Sequence, residues 1–453
     1  MGSFIARALR NPVSALGVAV TTAAALLFLF LAVAHFSGYL QNPYLGILVF
    51  ILVPAVFVVG LLLIPVGFHL EHRREVAGLA PRQWPTIDLN QPVQARMALF
   101  VVAATFVNVV ILSMASYGAV EYSDSTAFCG QVCHTVMKPE FQGRAAGPHA
   151  NIECAACHIG PGAGGFVSAK FNGTRQLWLV ATNSYPRPIP TPIANLPAPE
   201  ATCLQCHDRD RFIGDKIDVI YEHANDAANK ETVTKVTLHV GGPVAGTGSG
   251  VGIHWHMNQA NKVEYVALDD KREEIPYVKV TTPDGRVREF FADKANQADL
   301  RSRPLRAMDC LDCHSRPAHR FGASAAREVD AAMGLGLIPA KIPFIRREAV
   351  RALNGSYPTQ DAGIAQIDRE IRTGVNAQQP HGYEEADLRR AIGVAQGIYR
   401  ANVFPEMKVG WGTYPNQLGH TTSNGCFRCH DDSHKASDGA AISMDCDLCH
   451  TVE

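Results

Sequence analysis

The chain has 453 residues, of which 47% are apolar and only 18% charged, against about 25% charged in an ordinary soluble protein. This length fits two or three domains, and the composition excludes a disordered chain, which is poor in apolar residues and rich in charge. A formal net charge of −1 offers no overall basic surface, so nucleic acid is not expected as a partner.

Three apolar stretches come first, at about 15–36, 45–68 and 97–120, and none contains Asp, Glu, Lys or Arg. A bilayer needs roughly 20 apolar residues in a helix, so each stretch is long enough to span. Buried core helices are rarely this long and this free of charge. Arg7 and Arg10 precede the first stretch, and Arg73, Arg74, Arg82 and Arg96 lie between the second and third. The turn at 37–44 carries neither Lys nor Arg. The positive-inside rule then puts the N-terminus in the cytoplasm and everything after about Glu121 in the periplasm, on a bacterial inner membrane. Ala32-Val33-Ala34 resembles a signal-peptidase site, but the apolar run before it exceeds a signal-peptide core, and an uncleaved anchor is expected. Pro54 and Pro65 fall in the second stretch, where a packing kink is the plainer expectation and a quinone-side kink the alternative.

All 12 cysteines follow residue 128. They group as Cys129/Cys133-His134, Cys154/Cys157-His158, Cys203/Cys206-His207, Cys310/Cys313-His314, Cys426/Cys429-His430 and Cys446/Cys449-His450. Five are C-x-x-C-H, and the first has one extra residue between its cysteines. This is the pattern of covalent haem attachment. Two thiols must reach two vinyl groups on one porphyrin edge, and the next residue must turn back to the iron, for which imidazole is a good ligand. Zinc pairs need no histidine directly after each pair. Disulfides suit the compartment but leave the six adjacent histidines unexplained. Six covalently bound haem c groups are expected. The first cysteines of motifs one and two are 25 positions apart and those of motifs five and six 20 apart, so each of these pairs is expected to pack closely. The long intervals between motifs three and four and between four and five must hold folded protein.

A haem that only passes electrons takes two protein ligands. His149, His319, His420 and His434 lie close in sequence to the motifs and are the leading candidates for the second position. His254 and His256 flank Trp255, and strand alternation would put both on one face. His223, His239 and His381 read more simply as surface or hydrogen-bonding residues. Local distance favours ligation of a neighbouring haem rather than the motif's own. Met137, three residues after His134, is either a sulfur ligand to the first haem or a packing residue. A membrane haem held by His35 and His69 is not expected, because they lie about a bilayer apart.

Between the motifs, residues 277–291 read as a hairpin turned at Asp284-Gly285, with a further strand near 263–268. Residues 241–252 are glycine-rich without the lysine or spacing of a phosphate loop. Helical periodicity recurs at about 361–373 and 384–401. Residues 186–199 are proline-rich and read as an extended connector. Little conventional core is expected where porphyrin faces fill the interior. The domains expected are 1–120 as anchor, 121–232 as a three-haem domain, 233–305 as a β-containing insertion, and 306–453 as a second three-haem domain. The fold class expected is three transmembrane helices plus a haem-packed, mostly α and irregular domain with a small β insertion.

The segment from Cys129 to His207 resembles the NapC/NirT family of membrane-anchored multihaem quinol dehydrogenases. The residues that carry the likeness are Cys129-Gly-Gln-Val-Cys133-His134-Thr-Val-Met137-Lys-Pro-Glu, Gly147-Pro-His149, Cys154-Ala-Ala-Cys157-His158-Ile-Gly-Pro-Gly with Lys170, and Cys203-Leu-Gln-Cys206-His207. Asn42-Pro-Tyr-Leu-Gly and Gly425-Cys-Phe-Arg-Cys-His430 look like larger inner-membrane multihaem cytochromes. The resemblance implies oxidation of a quinol (menaquinol or ubiquinol) at the outer membrane face beside the first haem. It also implies a role for Met137 near that haem, His149 as a ligand to another haem, and Lys170 at the quinol. Small members have one anchor, four haems and a methionine two residues after the first motif's histidine, and this chain departs from each. They also have an acidic residue after the lysine, with no clear counterpart here between Lys170 and Ser184.

The function expected is electron transfer from the quinone pool through a haem relay to a periplasmic cytochrome or other redox protein. The alternatives are a docking subunit of a larger respiratory complex, a multihaem reductase of a small nitrogen oxyanion, and a structural anchor for partner haem proteins. Mass spectrometry of the purified chain is expected to show the polypeptide plus six haems; the bare polypeptide mass would refute the attachment reading.

Overall fold

The computed structural model describes residues 11–36, 52–79, 88–132, 134–193, 196–208, 211–243, 250–258, 261–378 and 382–453. The chain divides into two compact units, residues 1–123 with 159–175, and residues 124–158 with 176–453.

The first unit is built on long helices: α1 (Pro12–Phe36), α2 (Val53–Val76) and α3 (Pro92–Asp124). They coincide with the three apolar stretches wherever those are described; residues 37–51, with the Asn42 segment, lie outside the described residues. Among the described residues α2 is the helix that is long and apolar enough, by length and composition, to cross a membrane. Pro54 sits in its first turn, where no backbone N–H is needed, and Pro65 is internal. Helices α1 and α2 pack side by side through small residues, as helices do where backbones must approach closely. A Cβ added at Gly17 would lie 2.8 Å from the Gly60 carbonyl oxygen. The Ser14 hydroxyl donates to the Ile64 carbonyl at 2.9 Å, and the Asn11 amide donates to the Glu71 carboxylate at 3.2 Å.

In the second unit, α4 (His134–Ala145) follows the first motif, and α5 (Gly162–Ala181) follows the second and contributes residues to both units. The long hairpin of β1 (Gly214–His223) and β2 (Glu231–Pro243) occupies the start of the interval between motifs three and four. Strand β3 (Gly250–Val251) pairs antiparallel with the end of β2, so the two described ends of the glycine-rich segment are strand. A second sheet runs in the order β6-β5-β4-β7, from β4 (Lys262–Val266), β5 (Tyr277–Thr281), β6 (Val287–Phe291) and β7 (Arg306–Ala307). The β5–β6 hairpin turns at Asp284-Gly285, with Gly285 at φ +79°. Val263, Tyr265, Val278 and Phe290 are buried beneath it. The β insertion is therefore present, and its strands begin at Gly214.

The interval between motifs four and five is a helical bundle of α6 (Ala325–Gly334), α7 (Ile345–Leu353), α8 (Gln360–Asn376) and α9 (Glu385–Asn402). Ser324 caps α6, Thr359 caps α8, and Glu384 with Asp387 forms a capping box on α9. Ile367, Ile371 and Val375 fall at four-residue spacing on α8 and face Leu388, Ala391, Ala395 and Tyr399 of α9. The expectation of little conventional core is corrected here, since this interval carries no haem motif and must bury its own apolar faces. The last strand, β8 (His450–Val452), returns to pair with β2, with His450 opposite Leu238.

Ile371 is fully buried. Ile371→Ala is expected to cost about 2–5 kcal/mol of stability, read by chemical denaturation, without altering the visible haem spectrum.

Candidate haem sites

Five motifs each close into a single helical or 3-10 turn, at Cys154–His158, Cys203–Gln205, Cys310–Cys313, Gly425–Arg428 and Cys446–Leu448. The backbone N–H of the histidine donates to the carbonyl of the first cysteine in three of them: His207 to Cys203 and His314 to Cys310 at 2.8 Å, and His430 to Cys426 at 3.0 Å. Residues three apart lie on one face of such a turn, so the spacing C-x-x-C sends both thiols to one side and the following histidine can fold over them. The first motif's extra residue is absorbed as a π-helical turn, Phe128–Val132, the usual way a helix takes in one residue. None of the described cysteines is in a disulfide. Among the described residues no three His, Cys, Asp or Glu side chains converge as metal-cluster ligands would.

The histidines then pair across the fold. Ring centres are 6.1 Å apart for His158 and His319, 6.0 Å for His207 and His149, 6.3 Å for His314 and His254, 5.8 Å for His430 and His256, and 6.0 Å for His450 and His420. Metal–imidazole bonds are about 2 Å and a ring centre lies roughly 1 Å behind its nitrogen, so two imidazoles clamping one iron have centres about 6 Å apart. The spacing fits haem at all five places. Cys154, Cys157, His158 and His319 line one small open cavity together.

Local hydrogen bonds fix one ring nitrogen of several of these histidines. Nδ1 of His149 faces the Pro317 carbonyl at 2.9 Å, that of His319 faces Glu140 at 2.9 Å, and that of His430 faces Ser443 at 2.8 Å. Nδ1 of His254 faces Val240 at 3.2 Å and that of His256 faces Ile253 at 2.9 Å. A carbonyl at Nδ1 selects the tautomer that leaves Nε2 free to ligate. Two of these bonds cross-link the same segments: residues 140–149 hold His319 while residues 317–320 hold His149. Backbones meet there closely, for a Cβ added at Gly147 would lie 2.5 Å from the Ala318 carbonyl oxygen. His254 and His256 lie on a 3-10 turn, Ile253–Met257, rather than a strand. Gly252 enters that turn at φ +71°, and a Cβ there would lie 2.5 Å from the His239 carbonyl oxygen, so only glycine brings the turn against β2.

Other expected residues fall elsewhere. His434 is 2% exposed, and both ring nitrogens are engaged, Nδ1 by Asp431 at 2.8 Å and Nε2 by the Ile275 carbonyl at 2.7 Å. The structure does not bring it opposite a motif histidine; it ties the last haem region to the second sheet. His223 is buried between Asp330 and Glu231 at 3.3 and 3.4 Å, and His239 faces Asp215 at 3.1 Å. Met137 packs against the cluster of Val136, Phe404, Met407, Val409 and Tyr414. Cys133, the side chain of His134 and His381 lie outside the described residues. In the first unit, the Lys170 ammonium donates to the Ser123 hydroxyl at 2.8 Å and lies 4.8 Å above the Phe166 ring.

The motifs are also neighbours in chain order. The side chain of Cys129 hydrogen-bonds that of Cys154. Cys157 has Cys203 as a neighbour. Cys426 neighbours both Cys313 and Cys449. Motifs one and two, two and three, four and five, and five and six are thus adjacent. Between three and four the contact runs through aromatic rings, with Phe212 between His207 and His254. Phe212 escaped the sequence reading; its one signal was an aromatic residue five positions after a motif histidine.

Repeated attachment turns with opposed imidazoles define a multihaem c-type cytochrome, which carries covalently bound haem and transfers electrons. Residues 91–188 match the NapC/NirT cytochrome c family, N-terminal region. The whole chain is similar to the cytochrome c-type protein ImcH of Geobacter sulfurreducens, 38% identical over 450 residues, covering 98% of this chain and 88% of that protein. No solved structure matches it. The chain belongs to the NapC/NirT cytochrome c family.

His434→Ala is expected to lower stability by about 1–3 kcal/mol through lost buried hydrogen bonds, while the low-spin haem spectrum stays unchanged. A haem turning high-spin in this variant would restore His434 as a ligand.

Proposed function

We propose that this chain is a six-haem relay that takes electrons from membrane quinol and passes them to a periplasmic redox protein. The observation that carries the reading is the set of five imidazole pairs at 5.8–6.3 Å. Each pair supplies both axial ligands that an electron-passing haem needs. The assignments are His158 with His319, His207 with His149, His314 with His254, His430 with His256, and His450 with His420. His434 is left out of the ligand set. The sixth haem belongs to Cys129, Cys133 and His134, with Met137 beside it.

Bound haem supplies a reversible one-electron couple. The chain's own residues do the rest. The cysteines fix each porphyrin edge, and the carbonyls at Nδ1 raise imidazole basicity and so favour ferric iron. Fully ligated sites leave no open position for a nitrogen oxyanion, which disfavours the reductase reading at those five places.

The quinol step rests on the family. Lys170, hydrogen-bonded to Ser123 at the end of α3, is the group we assign to the quinol oxygen. Each quinol gives two electrons singly and releases two protons outside. The three apolar stretches are read as spans, with the N-terminus cytoplasmic and the haems in the periplasm.

Electron paramagnetic resonance tests the ligation. Planes are 78° and 80° apart for His149/His207 and His256/His430, and 57° for His158/His319. They are 7° apart for His254/His314 and 30° for His420/His450. Near-perpendicular imidazoles give a low-spin signal with a large maximal g, and near-parallel ones give a rhombic signal. Both classes are expected together; a mainly high-spin spectrum would refute the relay. Stopped-flow reduction by a menaquinol analogue tests the donor, and Lys170→Ala is expected to slow it. No reduction of the isolated chain would transfer quinol oxidation to another subunit and leave this one as the docking relay.

A further inference from the structure

The ring contacts between motifs three and four have a feature that haem attachment does not require. Phe212 lies 6.2 Å from His207 with planes 29° apart, and 4.7 Å from His254 with planes 21° apart. His254 in turn faces His314 at 6.3 Å and 7°. The three rings His207, Phe212 and His254 form a tilted stack that joins two ligand pairs. Phe212 is half-buried and stands between motif three and β1, a step before Ile213, which packs into the space above Gly242. A phenyl ring has no group to ligate iron or to hydrogen-bond an imidazole. Its place is explained by what lies on its two faces.

We propose that Phe212 is the bridge between the two halves of the relay: it fixes the rotation of the His254 ring and couples the iron bound by His207 to the iron bound by His254. The other motifs adjacent in chain order are neighbours through their cysteines. At the join between motifs three and four, ligands from different parts of the chain face one aromatic ring. Stacked rings in van der Waals contact transmit electronic coupling better than an aliphatic group or a gap of the same length. They also resist rotation, because offset-stacked rings favour one relative orientation. Each passage moves one electron: the iron on His207 goes from ferrous to ferric as the iron on His254 goes from ferric to ferrous. No proton moves and no bond is made or broken.

The inference rests on the ligation proposed above, and the test separates the two. Full-length protein is compared with Phe212→Leu, Phe212→Met and Phe212→Tyr. Leu and Met keep apolar bulk without a π face, and Tyr keeps the ring. One electron is injected by a light pulse, and equilibration among the haems is followed by time-resolved absorption. Phe212→Leu and Phe212→Met are expected to slow the step between the two halves about tenfold, roughly 1.4 kcal/mol on its barrier. Haem content stays at the wild-type level, and the His254/His314 part of the rhombic signal broadens as its ring is freed, while the part from His420/His450 does not change. Phe212→Tyr restores both. Unchanged equilibration and an unchanged rhombic signal in the Leu and Met variants would overturn the bridge while leaving the ligation intact. Absence of the rhombic signal from the wild-type protein would overturn the ligation, and the bridge with it.

Discussion

An iron held by two imidazoles asks for a nitrogen on each side along one line, and few other requirements in a protein are as exacting over so long a stretch of chain. One ligand of each pair comes from the attachment turn and is local. Its partner is distant: His319 stands opposite His158 and His149 opposite His207. On the proposed ligation, each of the five haems with paired imidazoles is thus a covalent and coordinate cross-link between separate segments of the chain. The backbone around each site can be read as the means of bringing the second imidazole to its place.

Two kinds of scaffold do this work. The β1–β2 hairpin presents the turn that holds His254 and His256 and also receives β8, so ligands or attachment histidines of motifs four, five and six depend on one strand. The residues 140–149 and 317–320 clasp each other and set His149 and His319 together. The helical bundle of α6 to α9 contributes no ligand among the described residues. It carries the conventional apolar core of this half of the chain, and the segment that follows α9 supplies Phe404, Met407 and Val409 to the cluster that receives Met137. Haem sites with little core of their own are thus flanked by a bundle that has one.

His434 shows how the same residue type takes a different role when its surroundings differ. Its sequence position, close to motif five, is as suggestive as that of His319 after motif four. A ligand must keep Nε2 free, and His434 has given that nitrogen to the Ile275 carbonyl while Asp431 holds the other. Buried polar atoms must find partners, and here the partners are a local carboxylate and a carbonyl from the segment leading into β5.

The sequence by itself determined the chemistry that depends on adjacency. Cysteine spacing names the attachment turns, because two thiols and an imidazole must come from one turn of chain, and the uncharged apolar runs name the long N-terminal helices, because a helix needs length and composition alone. It also carried the family resemblance and the β5–β6 hairpin, whose Asp284-Gly285 turn is local. Tertiary structure alone decided which histidine faces which motif, the removal of His434 from that set, the 3-10 turn under His254 and His256, and the place of Phe212. Each of these depends on packing and strand pairing between segments apart in the chain, which no local pattern encodes.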